Sequence, residues 1–240
     1  MLASIIIPAK NEEKNLERLL KQIRQQSFRD YEVIVADAHS TDHTREVAQR
    51  FGAKVIVGGL PGVGRNLGAQ ASHGETLVFM DADVVIPSKH FLRDAIKEFH
   101  LRRLDIAAVP VAPHDGTWLD RLTYGLYNWY ARLSAKRLPH AVGACMLVKR
   151  FVHDEIGGFD EIVTLAEDMH YARTAAQVGE FGILHAPAVE TSMRRWRTEG
   201  RVRLAIKYVW GELHMLFKGP IRGAIPYEFD HYKKIPKSKR

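Results

Sequence analysis

The sequence predicts an α/β fold, a mostly parallel central sheet flanked by helices, followed by a C-terminal amphipathic helical extension. Three observations carry this. Short apolar runs alternate with amphipathic stretches through the first half of the chain, the pattern of parallel strands joined by crossover helices. The runs at residues 4–7 and 77–80 are continuous enough to be buried strands. Near the C-terminus, Val202, Ala205, Ile206, Val209, Leu213, Leu216 and Phe217 recur on one side of a helical stretch, residues 201–217, with basic residues around it.

Taken in order, residues 4–7 form the first strand, stopped by Pro8. A helix is expected over residues 11–26, where Leu16, Leu19, Leu20 and Ile23 share a face and Glu12, Glu13 and Glu17 gather at the positive end of its dipole. Residues 31–36 give the next strand, and Ser40 or Thr41 caps a helix that runs to about Phe51 and ends at Gly52. Residues 54–57 read as a short strand, 58–64 as a flexible loop, 65–71 as a short helix and 76–80 as a strand. Further on, residues 92–101 read as helix, 106–111 as strand and 119–133 as a helix striped by Leu119, Leu122, Leu126, Trp129, Tyr130 and Leu133. Residues 144–148 read as strand, Gly157-Gly158 as a turn and 169–178 as a helix closed by Gly179.

With 240 residues and 46% hydrophobic content, the chain is long enough to bury a substantial core. Its one cysteine, Cys145, excludes an internal disulfide and a cysteine-based zinc site. No basic segment followed by a long apolar stretch opens the chain, and no uncharged apolar run approaches the roughly 18 residues of a membrane span, so a cytoplasmic location is expected. The net charge of +7 is uneven: residues 194–240 hold 13 Lys or Arg against 4 Asp or Glu, and the rest of the chain 22 against 24. Such a C-terminal patch suits an anionic partner. A nucleic acid is not expected, because no interleaved basic and aromatic strand motif accompanies the charge.

Five motifs fall in an order that carries chemistry. Pro8-Ala9-Lys10-Asn11-Glu12 sits at the C-terminal end of the first strand, where open α/β sheets bind ligands. Asp37 ends the second strand and can accept from a base N–H or a ribose hydroxyl, while the following Ser40-Thr41-Asp42 reads as a helix start. Gly62-Val63-Gly64-Arg65 lacks both the third glycine of a dinucleotide fingerprint and the lysine of a P-loop. What remains is a mobile loop placing Arg65 at a helix start, where guanidinium and dipole both suit a diphosphate. Asp81-Ala82-Asp83 emerges from a strand with two carboxylates at i and i+2, a spacing that in extended chain aims both at one hard cation such as Mg²⁺ or Mn²⁺. Glu167-Asp168 follows Gly157-Gly158-Phe159-Asp160-Glu161; Asp168 heads a helix and offers a general base or an N-cap.

Together these motifs, with Ile5-Ile6-Ile7 and Arg65-Asn66-Leu67-Gly68, resemble inverting glycosyltransferase family 2, over residues 4 to about 200. The resemblance implies the GT-A nucleotide-sugar-binding fold in residues 1–200, a nucleotide half over 1–110 and an acceptor half over 111–200. It implies a donor site of Pro8, Ala9, Asn11, Glu12 and Asp37, with Arg65 on the diphosphate. Asp81 would meet the ribose or a metal-bound water, Asp83 the Mg²⁺ or Mn²⁺, and Asp168, beside Glu167, would be the base of a single inverting displacement. Ala38 and Ser192 depart from patterns common in relatives; Ser192 stands where processive synthases have glutamine, while Arg195-Trp196 matches their motif and would close over the diphosphate or acceptor. The stripes over 119–133 and 201–217 fit faces packed on the domain, the commoner use of such stripes, but the basic, aromatic-bearing helix of the 201–240 segment also suggests contact with an anionic membrane near a lipid-linked acceptor such as a polyprenyl phosphate. Two other readings remain, a sugar-phosphate nucleotidylyltransferase and a non-catalytic binding module. The first lacks its glycine-rich phosphate loop after the first strand, and the second needs no carboxylate pair at Glu167-Asp168.

Overall fold

The computed structural model describes residues 2–222, without the side chains of Thr164, Arg195, Val202 and Ala205. The chain runs β1 (Ala3–Ala9), α1 (Glu13–Arg24), β2 (Tyr31–Asp37), α2 (Thr44–Arg50), β3 (Lys54–Val57), α3 (Pro61–Gln70), β4 (Thr76–Met80) and α4 (Phe91–Leu101). It continues through β5 (Ile106–Ala108), β6 (Val111–Pro113), α5 (Trp118–Ser134), β7 (Cys145–Lys149), α6 (Arg150–Glu155), β8 (Val163–Leu165) and α7 (Glu167–Ala175). Last come β9 (Phe181–Ile183), β10 (Val189–Thr191), α8 (Arg194–Glu199), α9 (Arg201–Lys218) and β11 (Ile221–Arg222).

Among the described residues the main sheet has seven strands in the order β3-β2-β1-β4-β7-β5-β9. All neighbours are parallel except β7, which is antiparallel to both β4 and β5. The central strands are sealed on both faces, which is why they read as unbroken apolar runs. On β1, Ile5 and Ile7 enter one core cluster with α1 and α4, and Ile6 enters the other with Phe79, Val148 and Tyr171. The strands β1, β2 and β4 all end on the same edge of the sheet, and the topology steps outward from β1 in both directions, the arrangement that opens a crevice at the strand ends.

Several local expectations need correction. The glycines at 62 and 64 belong to helix α3 and not to a flexible loop. They and Gly68 let that helix lie against the sheet: a Cβ at Gly68 would stand 2.3 Å from Ile6 Cγ2, and one at Gly64 3.3 Å from Pro8 Cβ. The strand expected over 106–111 breaks around Pro110 into β5 in the main sheet and β6, which pairs with β10 instead. Helix α2 begins at Thr44, and neither Ser40 nor Thr41 caps it. No helix among the described residues is long and apolar enough to cross a membrane. Of the expected 201–240 segment, residues 223–240 lie outside the described residues.

Candidate active site

The loops leaving β1 and β2 are zipped together, and the zip engages Ser40 and Thr41 away from α2, while Asp42 serves both sides, its Oδ1 accepting from the Thr44 N–H at the start of α2 at 3.0 Å. The N–H groups of Asn11, Glu12 and Glu13 donate to Ser40 Oγ (2.9 Å), Thr44 Oγ1 (3.0 Å) and Asp42 Oδ2 (3.2 Å). Helix α1 has no cap of its own, so its orphan donors are satisfied from the neighbouring loop. In return Asn11 Oδ1 accepts from the Thr41 N–H at 2.8 Å. Asn11 and His39 both adopt left-handed backbone (φ 53° and 56°), a conformation held here by the surrounding hydrogen bonds. The expected donor residue Asn11 therefore has its side-chain oxygen engaged in bracing the pocket wall.

Asp37 lies at the floor of that crevice, 1% exposed and in register with Ala9. Its Oδ2 accepts from the Ser40 N–H at 3.2 Å, with Arg45 Nε at 3.9 Å, but its buried Oδ1 has no partner. A buried carboxylate oxygen without a donor costs free energy unless something else supplies one. Pro8 stands beside Ala36 on the adjoining register position.

The Asp81–Asp83 segment is a turn, with the Val84 N–H returning to Asp81 O, so the extended-chain alignment of the two carboxylates does not hold. They face different neighbours. Asp81 Oδ1 accepts from Arg65 Nη2 at 2.8 Å; burial pushes its carboxyl up against the pull of Arg65, and Asp83 and Glu167 add to the rise. Asp83 is raised by burial and by the Glu12 carboxylate, with Arg194 and Arg18 pulling it down. The Arg194 guanidinium in turn reaches Glu12 Oε1 at 3.5 Å.

Arg65 is the fifth residue of α3, not its start, and is 2% exposed. It spans the crevice floor, giving Nη2 to Asp81 and Nη1 to Glu167 Oε1 at 3.0 Å, and its Cζ sits 5.2 Å from the centroid of Phe159. Next to it, Asn66 clasps the Phe159 backbone at both ends, accepting from its N–H (2.8 Å) and donating to its carbonyl (2.9 Å). Gly158, at φ 81°, is required there, because a Cβ would lie 2.5 Å from Asn66 Oδ1. Helix α3 thus gathers the glycine turn, Asp81 and Glu167 around one cation.

Asp168 is the second residue of α7, so it is not the N-cap; that position is Ala166, in left-handed backbone at φ 56°. Its carboxylate accepts from the Gly143 N–H through Oδ2 and from the Met169 N–H through Oδ1 at 2.8 Å. Burial raises its carboxyl well above the ordinary range and Glu167 adds to the rise, against Arg65 and the two N–H donors. Gly143 is wedged between the two: a Cβ there would meet Arg65 Nη2 at 2.6 Å and Asp168 Oδ2 at 3.3 Å. Tyr127, on the inner side of α5, has its hydroxyl pushed up by burial and by the Asp168 charge.

Sequence reasoning missed Gly143, Tyr127 and Arg194. Gly143 carries no motif and acts through its contact with Asp168, 25 residues away, and Tyr127 shares only the electrostatic surroundings of Asp168; Arg194 had a signal, since it adjoins Arg195-Trp196. Trp196 packs edge-to-face on Tyr208 of α9, ring centroids 5.8 Å apart, and the side chain of Arg195 lies outside the described residues.

Among the described residues no three His, Cys, Asp or Glu side chains are grouped to hold an ion unaided. As hard carboxylate donors at the end of β4, Asp83 and Asp81 suit a divalent cation only if a diphosphate supplies most of its shell, because Asp81 Oδ1 is engaged by Arg65 and the two carboxylates face different neighbours.

The chain has counterparts among known proteins. A 4,4'-diaponeurosporenoate glycosyltransferase of Staphylococcus haemolyticus is 43% identical over 141 residues, 55% of this chain and 35% of the relative. Glycosyltransferase AglE of Haloferax volcanii is 26% identical over 189 residues, 73% of this chain and 62% of the relative, so the chain spans only part of either protein's length. The fold superposes on S. aureus TarS 1-349 in complex with UDP-GlcNAc at a TM-score of 0.65, with 21% identity over 81% of this chain and 59% of that one. It superposes on the mannosyltransferase PcManGT from Pyrobaculum calidifontis in complex with GDP-Man and Mn²⁺ at 0.63, with 21% identity over 87% and 64%. The architecture is therefore the GT-A fold. The pattern of Glycosyl transferase family 2 matches residues 4–157, which takes in the zipped loops, Asp37, Arg65, the Asp81–Asp83 turn and Gly143, and the chain belongs to that family.

Proposed function

We propose that the protein transfers a sugar, with inversion, from a nucleoside-diphosphate sugar to an acceptor hydroxyl or phosphate, with Asp168 as general base. The observation that carries this is the placement of Asp168: a carboxylate of raised pKa, oriented by two backbone N–H groups, tied through Arg65 to the Asp81 turn where a diphosphate would sit. Such a base takes the acceptor proton as the oxygen attacks the anomeric carbon from the face opposite the leaving diphosphate. Glu167 holds Arg65 and raises its neighbour's pKa, so its part is to set the base.

On the donor side, the unpartnered Asp37 Oδ1 would accept from the base or ribose, between Pro8, Ala9 and the Asn11-Glu12 loop. Asp83, with Asp81 behind it, would hold Mg²⁺ or Mn²⁺, which when bound neutralises charge on the departing diphosphate. Neighbouring folds bound to UDP-GlcNAc and to GDP-Man with Mn²⁺ support a nucleotide-sugar donor and a divalent ion. Arg194, and Arg195 and Trp196 on the same helix, would close the acceptor side. A lipid-linked acceptor, reached from a cytoplasmic membrane face, completes the reading.

A thermal-shift panel of nucleotide sugars with and without Mn²⁺ tests it. One donor should raise Tm, more so with the ion; a panel in which none does would overturn the proposal, because ligand binding stabilises by mass action.

A further inference from the structure

Helices α5 and α9 each keep an apolar stripe outside the core after their inner faces are satisfied. On α5, Tyr124, Tyr127 and Asn128 face inward, Asn128 bonding both backbone groups of Val111, and Ala131 is buried. The opposite stripe of Trp118, Leu122, Leu126, Trp129 and Leu133 is exposed, Trp118 by 76% and Trp129 by 62%. Helix α9 buries Leu204 and Met215 and exposes Ile206, Val209, Trp210, Leu213 and Phe217, the last by 82%. Both stripes follow helical spacing, so each is a continuous face and not a scatter of single residues.

Ionic contacts fix the two helices to each other and to the domain. Arg201 at the start of α9 grips Asp120 at the start of α5 through two bonds of 2.9 Å, and Glu212 of α9 meets His140 at 3.2 Å and Arg173 of α7. The acids of both helices are consumed in these contacts. The charges left exposed are basic: Arg121 and Arg132 on α5, Lys136 and Arg137 after it, Arg203 and Lys218 on α9. A face of leucine, tryptophan and phenylalanine whose own helices leave only cations exposed among their charges is complementary to an anionic bilayer, where aromatic rings seat at headgroup level and basic side chains meet lipid phosphates.

We infer that α5 and α9 form a docking face that seats the protein in the headgroup boundary of an anionic membrane. This deepens the lipid-linked acceptor reading, and the placement of the site follows from it. The loop that follows α5 carries Gly143, whose N–H donates to Asp168, so the helix bearing the lipid-facing stripe leads directly into the wall of the site. An acceptor phosphate or hydroxyl at the end of a lipid anchored in that boundary is within reach without leaving the membrane.

The test is sedimentation of the full chain with vesicles of phosphatidylglycerol and phosphatidylcholine in equal parts, against phosphatidylcholine alone, at about 0.15 M salt. The protein should bind the anionic vesicles at least tenfold more tightly, since at about 1 kcal/mol for each basic residue at the surface the engagement of two of the six already exceeds that factor. A variant with Leu126→Asp, Trp129→Ser, Val209→Asp and Trp210→Ser should lose binding while keeping its melting temperature and its donor-induced shift. No binding by the wild type, or equal binding by the variant, overturns the inference. So does a dimer in sedimentation velocity without vesicles that the variant abolishes, which makes the face a contact between copies. Failure of every nucleotide sugar to stabilise the protein, with vesicle binding intact, would overturn the transferase reading and leave this face standing.

Discussion

Arg65 and Asp81, sixteen residues apart, meet at 2.8 Å with the arginine 2% exposed, and the same guanidinium holds Glu167 across 102 residues of chain. A desolvated cation needs both carboxylates, and each carboxylate needs it. The contact therefore ties the turn after β4 to the helix that bears Asp168, and it is a condition of the fold as much as of the site.

Replacing Arg65 tests that double role. Arg65→Ala leaves Asp81 and Glu167 facing each other without a counter-ion, which should cost about 3 kcal/mol, the lower part of the range for severing a buried pair because Asp81 keeps 39% of its side chain exposed. Arg65→Lys should recover part of the stability but little activity, since one ammonium cannot serve two carboxylates in a fixed fork. Urea unfolding of the two variants reads the first effect, and their turnover the second.

Asp168→Asn should lower turnover by about two to four orders of magnitude while leaving the donor-induced melting shift intact. Full turnover would remove Asp168 from the mechanism. In the wild type, activity should fall on acidification at a pH above the ordinary carboxylate value of 3.8, because burial and Glu167 raise the group. Stability runs the other way. A carboxyl whose folded pKa is raised binds its proton more tightly in the native state, so its contribution is fully present below the unfolded value and is lost as pH rises through the folded one. The melting temperature of Asp168→Asn relative to wild type should therefore climb as pH is raised, and a constant difference would contradict the assignment.

Asp83→Ala should weaken Mn²⁺-dependent donor binding and leave metal-free binding nearly unchanged. Isothermal titration of the donor with Mn²⁺ and with chelator makes the comparison. An unaltered response to the ion would transfer the ligand role away from Asp83, whose neighbours Glu12 and Arg194 set its charge in the free protein.

How much of this was legible in the sequence depended on how local each feature is. The strands β1, β2 and β4 announce themselves because burial on both faces leaves unbroken apolar runs, and Asp37 and Asp81 are found by where those runs stop. The partners of Arg65 were not legible, since nothing in its own neighbourhood encodes a contact 102 residues away. Short strands such as β8, β9 and β10 were missed for the same reason: each is three residues held by a remote partner. The stripe on α5 was correctly located, but periodicity cannot tell a face that meets the core from one that meets something outside the chain.

Glycine was the most misleading letter, and Gly68→Ala turns that into a measurement. Around Gly62, Gly64 and Gly68 the sequence is equally consistent with a loop that needs freedom and a helix that needs closeness, and the structure chooses closeness. In a loop, Ala for Gly would stabilise by trimming the unfolded ensemble. Here the added methyl would lie 2.3 Å from Ile6 Cγ2, on a strand with no exposed surface to retreat into. Pushing α3 outward relieves the clash but also withdraws Arg65 and Asn66, three and two residues earlier on the same helix, from Asp81 and Phe159. The expected result is a loss of up to about 2 kcal/mol in urea unfolding, an overpacking cost of about 1–3 kcal/mol less the roughly 1 kcal/mol gained in helix propensity. Turnover should fall with it, because the displacement reaches the site through Arg65; a more stable and fully active variant would mean that α3 does not bear on the sheet at this point.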